Sequence, residues 1–144
     1  AEREMAVHRP TVVERLRPER ENLRAALRWS RDHAPALHAS LAAALAWYFF
    51  ALGLWTEAHD WLEGALRLPP AAARGPLRAR LLASLGYMAN YRRDLARARA
   101  WLEEADAIWE ALGDAGAQAS VRHVLAQTAS IGGERDAVAA ALPT

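Results

Sequence analysis

The chain has 144 residues, enough for one domain with a sizeable core, and carries 18 basic against 17 acidic side chains. That balance leaves no global field to draw in nucleic acid or an anionic membrane. Cysteine is absent, which excludes a disulfide framework and a thiolate metal site, and every basic residue is arginine. Ala, Leu, Arg and Glu dominate while Ile, Thr and Tyr are scarce, a composition that favours helix nearly throughout.

The N-terminus, Ala1-Glu2-Arg3-Glu4, is charged, lacks a signal-peptide core and does not begin with Met, so a soluble, cytoplasmic piece of a longer protein is expected. Pro10 and Pro18 bracket a segment, residues 11–17, that fits a single turn or short helix. Pro18 then suits the first position of a helix reaching about His33, where its missing N–H costs nothing. Leu23, Ala26, Leu27 and Ser30 recur at three- and four-residue spacing and face a core. Glu19, Arg20, Arg24, Arg28 and Arg31 fall on the opposite face.

A second, nearly all-apolar helix is expected over residues 35–52, stopped by Gly53. The apolar stretch 34–55 approaches the length of a membrane span. It is Ala-rich, contains His38 and Ser40 and runs into a second amphipathic segment, so it reads as a buried helix. A third helix follows over 56–68, with Thr56 as N-cap, and ends at Pro69-Pro70. Residues 69–76 form the clear loop. Further helices are expected over 77–92, 94–112 (closed by Gly113) and 115–131 (closed by Gly132-Gly133), with a last one from Glu134 fading at Pro143. Short connections require successive helices to pack antiparallel.

An internal repeat organises this series. Leu45, Ala46, Phe49, Gly53, Ala58 and Leu62 recur 40 positions later as Leu85, Gly86, Ala89, Arg93, Ala98 and Leu102. They recur after another 40 as Leu125, Ala126, Ala129, Gly133, Val138 and Leu142. A large residue followed by a small one lets the second helix of each pair approach closely. The small residue thirteen positions after the large one sits at the crossing, and the turn-former eight positions after it separates the two helices. Each hairpin leaves an apolar side for the next to cover.

The pattern resembles the tetratricopeptide repeat, best at Leu85-Gly86 with Asp94, Ala98 and Ala105, and at Pro69 after Ala58 and Ala65. The repeat is about six residues longer than the family's usual 34. The resemblance implies an all-α, right-handed solenoid of antiparallel hairpins with about seven helices. Residues 1–144 would form one such domain, with a leading helix at 17–33, repeats at 35–70 and 76–113 and a partial third at 115–144. A narrower likeness lies in Glu19-Arg20-Glu21-Asn22-Leu23-Arg24-Ala25-Ala26-Leu27-Arg28-Trp29, in Trp61-Leu62-Glu63 with Ala65-Leu66 before Pro69-Pro70, and in Ala98-Arg99-Ala100 leading through Leu102-Glu103-Glu104 to Trp109-Glu110-Ala111-Leu112-Gly113-Asp114. These stretches resemble the tetratricopeptide region of bacterial STAND or NB-ARC signal-transduction ATPases and transcriptional regulators. That resemblance implies a sensor or autoinhibitory arm, with the nucleotide-binding module elsewhere in the parent chain; without Lys, no Gly-x-x-x-x-Gly-Lys-Ser/Thr loop can exist here. The alternative is a free-standing adaptor with no ATPase attached.

No enzyme chemistry is read. His8, His33, His38, His59 and His123 form no ligand pair at one-turn spacing, and the neighbours His59 and Asp60 are expected to point to different sides of their helix. Neither a metal nor a cofactor is expected. Arg74, Arg78, Arg80, Arg92, Arg93, Arg97 and Arg99 cluster around Asp94, either as a site for an anionic partner or as a solvated face balanced by Glu103, Glu104 and Asp106. Trp29, Trp47, Trp61, Trp101 and Trp109 fall mostly at core spacing, with buried anchors the default reading and exposure of some on a recognition surface the alternative, while Trp55 would staple a hairpin.

In the architecture the resemblance implies, first helices of the hairpins line a concave groove. That places Trp47 and Phe50 from the first unit, Arg80, Ala83, Tyr87, Asn90 and Tyr91 from the second, and His123, Gln127 and Ser130 from the third. Such a surface suits an extended or helical peptide. The partner expected is a protein or peptide, including the ATPase module of a parent chain, with neither membrane nor nucleic acid. An uncapped terminal helix would support self-association.

Overall fold

The structure, a computed structural model, describes residues 19–142. The expected turn at 11–17, Pro18 and His8 lie outside the described residues. Among the described residues the fold is all-helical, with α1 (Arg20–His33), α2 (Pro35–Ala51), α3 (Trp55–Leu66), α4 (Pro76–Tyr91), α5 (Leu95–Leu112) and α6 (Ala115–Ala141). A one-turn 3-10 helix, Pro69–Ala71, interrupts the expected loop and buries Ala71.

Most boundaries follow from local chemistry. Pro35 and Pro76 occupy the first turns of α2 and α4, where no N–H is needed. Asp94 and Asp114 cap α5 and α6 by accepting the amides of Arg97 and Ala117. Thr56 does not cap α3: that helix begins one residue earlier, at Trp55, with Leu54 in the cap position and no side-chain cap.

Three reversals share one geometry. Gly53, Arg93 and Gly113 adopt φ of 78°, 65° and 72°. In each case the next amide bonds back to a carbonyl five residues earlier: Leu54 to Phe49, Asp94 to Ala89 and Asp114 to Trp109. This left-handed closure satisfies the last carbonyls of the helix and turns the chain. The closures at 53 and 93 fall 40 residues apart, the interval of the sequence pattern.

The third unit departs from it. Gly133 holds no left-handed turn; α6 continues through Gly132-Gly133 as one helix of 27 residues, giving six helices among the described residues instead of about seven. Val138 and Leu142, in the positions of fully buried Ala58/Ala98 and Leu62/Leu102, are 62% and 64% exposed. No reversal brings the end of α6 back onto its beginning, so among the described residues these positions find no partner.

Each helix packs on its neighbours in sequence, and in addition α2 touches α4 and α4 touches α6. The core has two parts. Leu27, Ala39, Ala42, Ala46, Phe49, Ala58 and Leu62 meet Leu81, Leu85 and Met88 of α4 in the first. Ala79, Leu82, Ala83 and Ala89 of α4 meet Ala98, Leu102, Ala105, Ile108 and Val121 in the second. α4 is thus packed on both sides, and Gly86 sits where it crosses α5: a Cβ there would stand 2.5 Å from Leu102 Cγ.

Two polar contacts tie α1 to this core. Arg24 was expected on the solvated face; its guanidinium instead forks onto Glu57 of α3, Nε to Oε1 at 2.6 Å and Nη2 to Oε2 at 2.7 Å, and also pairs with Glu21. A bidentate pair of this kind is a strong contact, and hydrogen bonding from Arg24 holds the Glu57 carboxyl below its ordinary range. His38, fully buried, places Nδ1 2.9 Å from the Leu27 carbonyl and 3.1 Å from Ser30 Oγ, and burial lowers its pKa.

Three stability measurements follow. Gly86→Ala should destabilise by about 1–3 kcal/mol because Leu102 has to move. Gly64→Ala, where a Cβ meets nothing within 4 Å, should instead stabilise by up to about 1 kcal/mol. Urea unfolding of both variants reads the contrast. Arg24→Ala should cost about 1 kcal/mol, an amount discounted for the partial solvent exposure of the pair. Glu57's contribution, complete above its unfolded pKa near 4.5, should fade as pH falls through its depressed native value. Because unfolded His38 takes up a proton near pH 6.5 and native His38 resists it, stability should also fall as pH drops below about 6.5. His38→Gln should flatten that limb in urea midpoints taken at neutral and mildly acidic pH.

Candidate functional site

The α2–α4 contact carries a row of aromatic rings at its rim. Trp47 and Phe50 stand one turn apart on α2, edge to face at 5.6 Å. Across the interface Trp47 meets Tyr87 at 6.5 Å, and Phe50 meets Tyr91 edge-on at 5.3 Å. Tyr87 and Tyr91 are also one turn apart, so two i, i+3/i+4 pairs on neighbouring helices zip together. The row continues from Phe50 to Trp55 at 6.3 Å, and the Arg92 guanidinium lies over the Trp55 ring at 4.2 Å.

These rings are only partly covered. Tyr91 is 67% exposed, Trp47 40% and Trp55 38%. Tyr87 is half-buried, and that burial raises its phenol pKa above the ordinary value. A contiguous exposed aromatic patch is uncommon on a surface that has no partner to bind.

From Tyr87 the surface passes to α6. Tyr87, Ala119, Ser120, His123 and Val124 line one depression between α4 and α6. His123 and Gln127 are exposed, with His123 Nε2 3.2 Å from Gln127 Nε2. Asn90 is engaged elsewhere: its side-chain oxygen lies 2.9 Å from Thr128 Oγ1, which is 2.8 Å from the Val124 carbonyl. A single hydroxyl proton cannot serve both acceptors. The consistent arrangement has Thr128 donate to Val124 and accept from the Asn90 amide, turned to present its NH2. Asn90 therefore ties α4 to α6.

Of the ten expected groove residues, Trp47, Phe50, Tyr87 and Tyr91 meet in the ring cluster, His123 adjoins Tyr87 in the depression with Gln127 beside it, and Asn90 bonds to Thr128. Arg80, exposed two turns before Tyr87 on α4, makes no contact with the ring cluster. Ala83 is buried at 7% and contributes to the core, and Ser130 is exposed further along α6. Sequence spacing alone did not join Trp55 to Arg92. The signal was present, since both lie beside turns that are 40 residues apart, at 53 and 93, and so fall at one end of the stacked hairpins.

The arginine cluster is balanced in part: Arg97 lies 3.8 Å from Asp94, while Arg74, Arg80, Arg92 and Arg93 have no acidic partner within 4 Å among the described residues. Arg78 binds Glu104 at 2.7 Å, Arg99 binds Glu103 at 2.8 Å, and Asp106 is taken by Arg122 at 2.9 Å. The tryptophans divide. Trp109 is buried and Trp61 and Trp101 are half-buried, whereas Trp29 is 57% exposed, stacked on His33 at 5.0 Å, and Trp47 is also exposed. The default of buried anchors does not hold for those two: among the described residues no further helix covers either face, and for Trp47 this agrees with its place in the expected groove. His59 does approach Asp60, contrary to the divergence expected of neighbours. Its Nδ1 is 3.6 Å from both Asp60 and Glu63, too long for a hydrogen bond. Among the described residues no group of His, Asp and Glu is arranged to hold a metal ion, and no helix is long and apolar enough to cross a membrane.

No family model matches the chain, and no curated protein or solved structure matches it.

Exposure makes the row separable from the fold. Tyr91→Ala should leave thermal stability within about 0.5 kcal/mol of the parent. Phe50→Ala, half-buried against Leu and Trp neighbours, should cost about 2–3 kcal/mol. Thermal melts followed by far-UV dichroism distinguish the two.

Proposed function

We propose that this chain is a tetratricopeptide-like stack of helical hairpins whose α2–α4–α6 face binds a segment of another protein. The observation that carries the reading is the row Tyr87–Trp47–Phe50–Tyr91: four rings in mutual contact, with Trp47 and Tyr91 left open to solvent. Rigid, partly covered aromatics of this kind supply most of the binding energy at protein interfaces. The adjoining depression with His123 and Gln127 adds polar groups that can fix the register of an extended or helical peptide.

On this reading the chain senses or scaffolds and does not catalyse. We further propose a parent of the STAND-type signalling class, in which the chain is the arm that recognises a ligand protein or holds the ATPase module. The exposed indole of Trp29 on the opening helix supports that larger arrangement by offering a second contact surface away from the groove. A free-standing adaptor would use the same aromatic row.

Panning a display library of random peptides on the full chain tests the groove. Selected peptides should lose at least about tenfold in affinity for the Trp47→Ala/Tyr91→Ala variant, with helicity unchanged. A library that yields no binder, or binders indifferent to the double substitution, would sink the assignment.

A further inference from the structure

At the end of the fold where both hairpins turn, a cleft of about 290 Å³ opens between α3, the end of α4 and the start of α5. Phe50, Trp55 and Trp101 supply aromatic wall, and Arg92 and Arg97 supply cations. Asp94 is the single carboxylate in the lining among the described residues. It is already engaged, accepting the Arg97 amide as N-cap of α5 and lying 3.8 Å from the Arg97 guanidinium.

Arg92 is different. Among the described residues it has no acidic partner within 4 Å, and its guanidinium sits over the Trp55 ring at 4.2 Å. With no carboxylate partner, its N–H groups are available for a planar, two-pronged contact with an acid group. The start of α3, at Trp55 and Thr56, borders the same cleft without a side-chain cap, so the positive end of that helix falls there too.

We propose that this cleft binds a small aromatic carboxylate, its ring against Trp55, Trp101 and Phe50 and its acid group on the unpaired guanidinium of Arg92. Size sets the class: the volume lies at the bottom of the range for ligand pockets, enough for one ring with an acid group and too small for a nucleotide. Charge narrows it further. Beside His59, the lining carries two arginines and one aspartate, a surplus of at least one positive charge, which suits a monoanion; the Asp94 carboxylate would repel a phosphate dianion. The cleft takes in the Trp55–Arg92 end of the aromatic row and shares Phe50 with the peptide groove, but it uses neither Trp47 nor Tyr91, so the two proposals can fail separately.

The test is a titration of the full chain with phenylacetate, followed by NMR of the indole N–H signals. Trp55→Phe and Trp101→Phe assign the two relevant signals. Both should move saturably with a Kd near about 1 mM, as expected for a ligand of this size. The uncharged isostere phenylacetamide should bind at least tenfold more weakly. Arg92→Gln should weaken phenylacetate at least tenfold with helicity intact, and added salt should raise the Kd. If Arg92→Gln does not fold, the acid–amide comparison on the parent chain decides alone. Three results would overturn the proposal: no saturable movement of those two indoles, equal binding of acid and amide, or tighter binding of inorganic phosphate than of phenylacetate.

Discussion

Where α4 crosses α5, any side chain at position 86 would collide with Leu102, so the two helices can lie as close as they do only because Gly86 presents bare backbone. The equivalent crossing of α2 and α3 uses Ala46 and Ala58, both essentially without solvent exposure, with Leu62 fully buried beside them. Close approach at these two points makes each hairpin a stiff ledge. It also sets α4 between two cores, with Leu81, Leu85 and Met88 facing one and Ala79, Leu82 and Ala83 the other. A helix held from both sides has little freedom to rotate, and that restraint positions Tyr87 and Tyr91 against Trp47 and Phe50.

The aromatic row and the cleft are two outcomes of the same stacking. Because α2 and α4 run alongside each other with their turns at one end, the rings on their outward faces meet in pairs, and the residues next to the turns meet as well. Trp55 after one turn and Arg92 before the next are brought together without belonging to the same hairpin. Neither feature needs an irregular loop to build it. Both arise on helices, which hold side chains more precisely than loops do.

Much of this was legible because the signals are local or repeat at a fixed interval. Gly53 and Arg93 mark turns, Ala58 and Ala98 mark crossings, and the spacing of Trp47, Phe50, Tyr87 and Tyr91 gives one face. What was not legible depends on partners distant in sequence. Arg24 looks like one more solvated cation until Glu57, 33 residues on, comes into reach. Trp29 and Trp47 have core spacing, but spacing cannot say whether another helix covers that face. The paired glycines at 132 and 133 look like a stop; each costs a helix only about 1 kcal/mol, and a run flanked by good helix formers continues through them. Arg93 shows the converse: a side chain poorly suited to the left-handed region adopts it because the hydrogen bond from Asp94 to Ala89 and the packing of two helices outweigh the strain of about 1–2 kcal/mol.

Packing between sequence neighbours also bears on how the chain reaches this state. Each hairpin closes on a loop of a few residues, so little chain entropy is lost before the first contacts form. Proteins dominated by such short-range contacts fold in microseconds to milliseconds. The α2–α3 and α4–α5 pairs have the same crossing chemistry and either could form first, with its neighbour adding onto the exposed side. The aromatic row, which requires both pairs, would then be among the last features to assemble and among the first to be lost under mild denaturant, well before the helices themselves unwind.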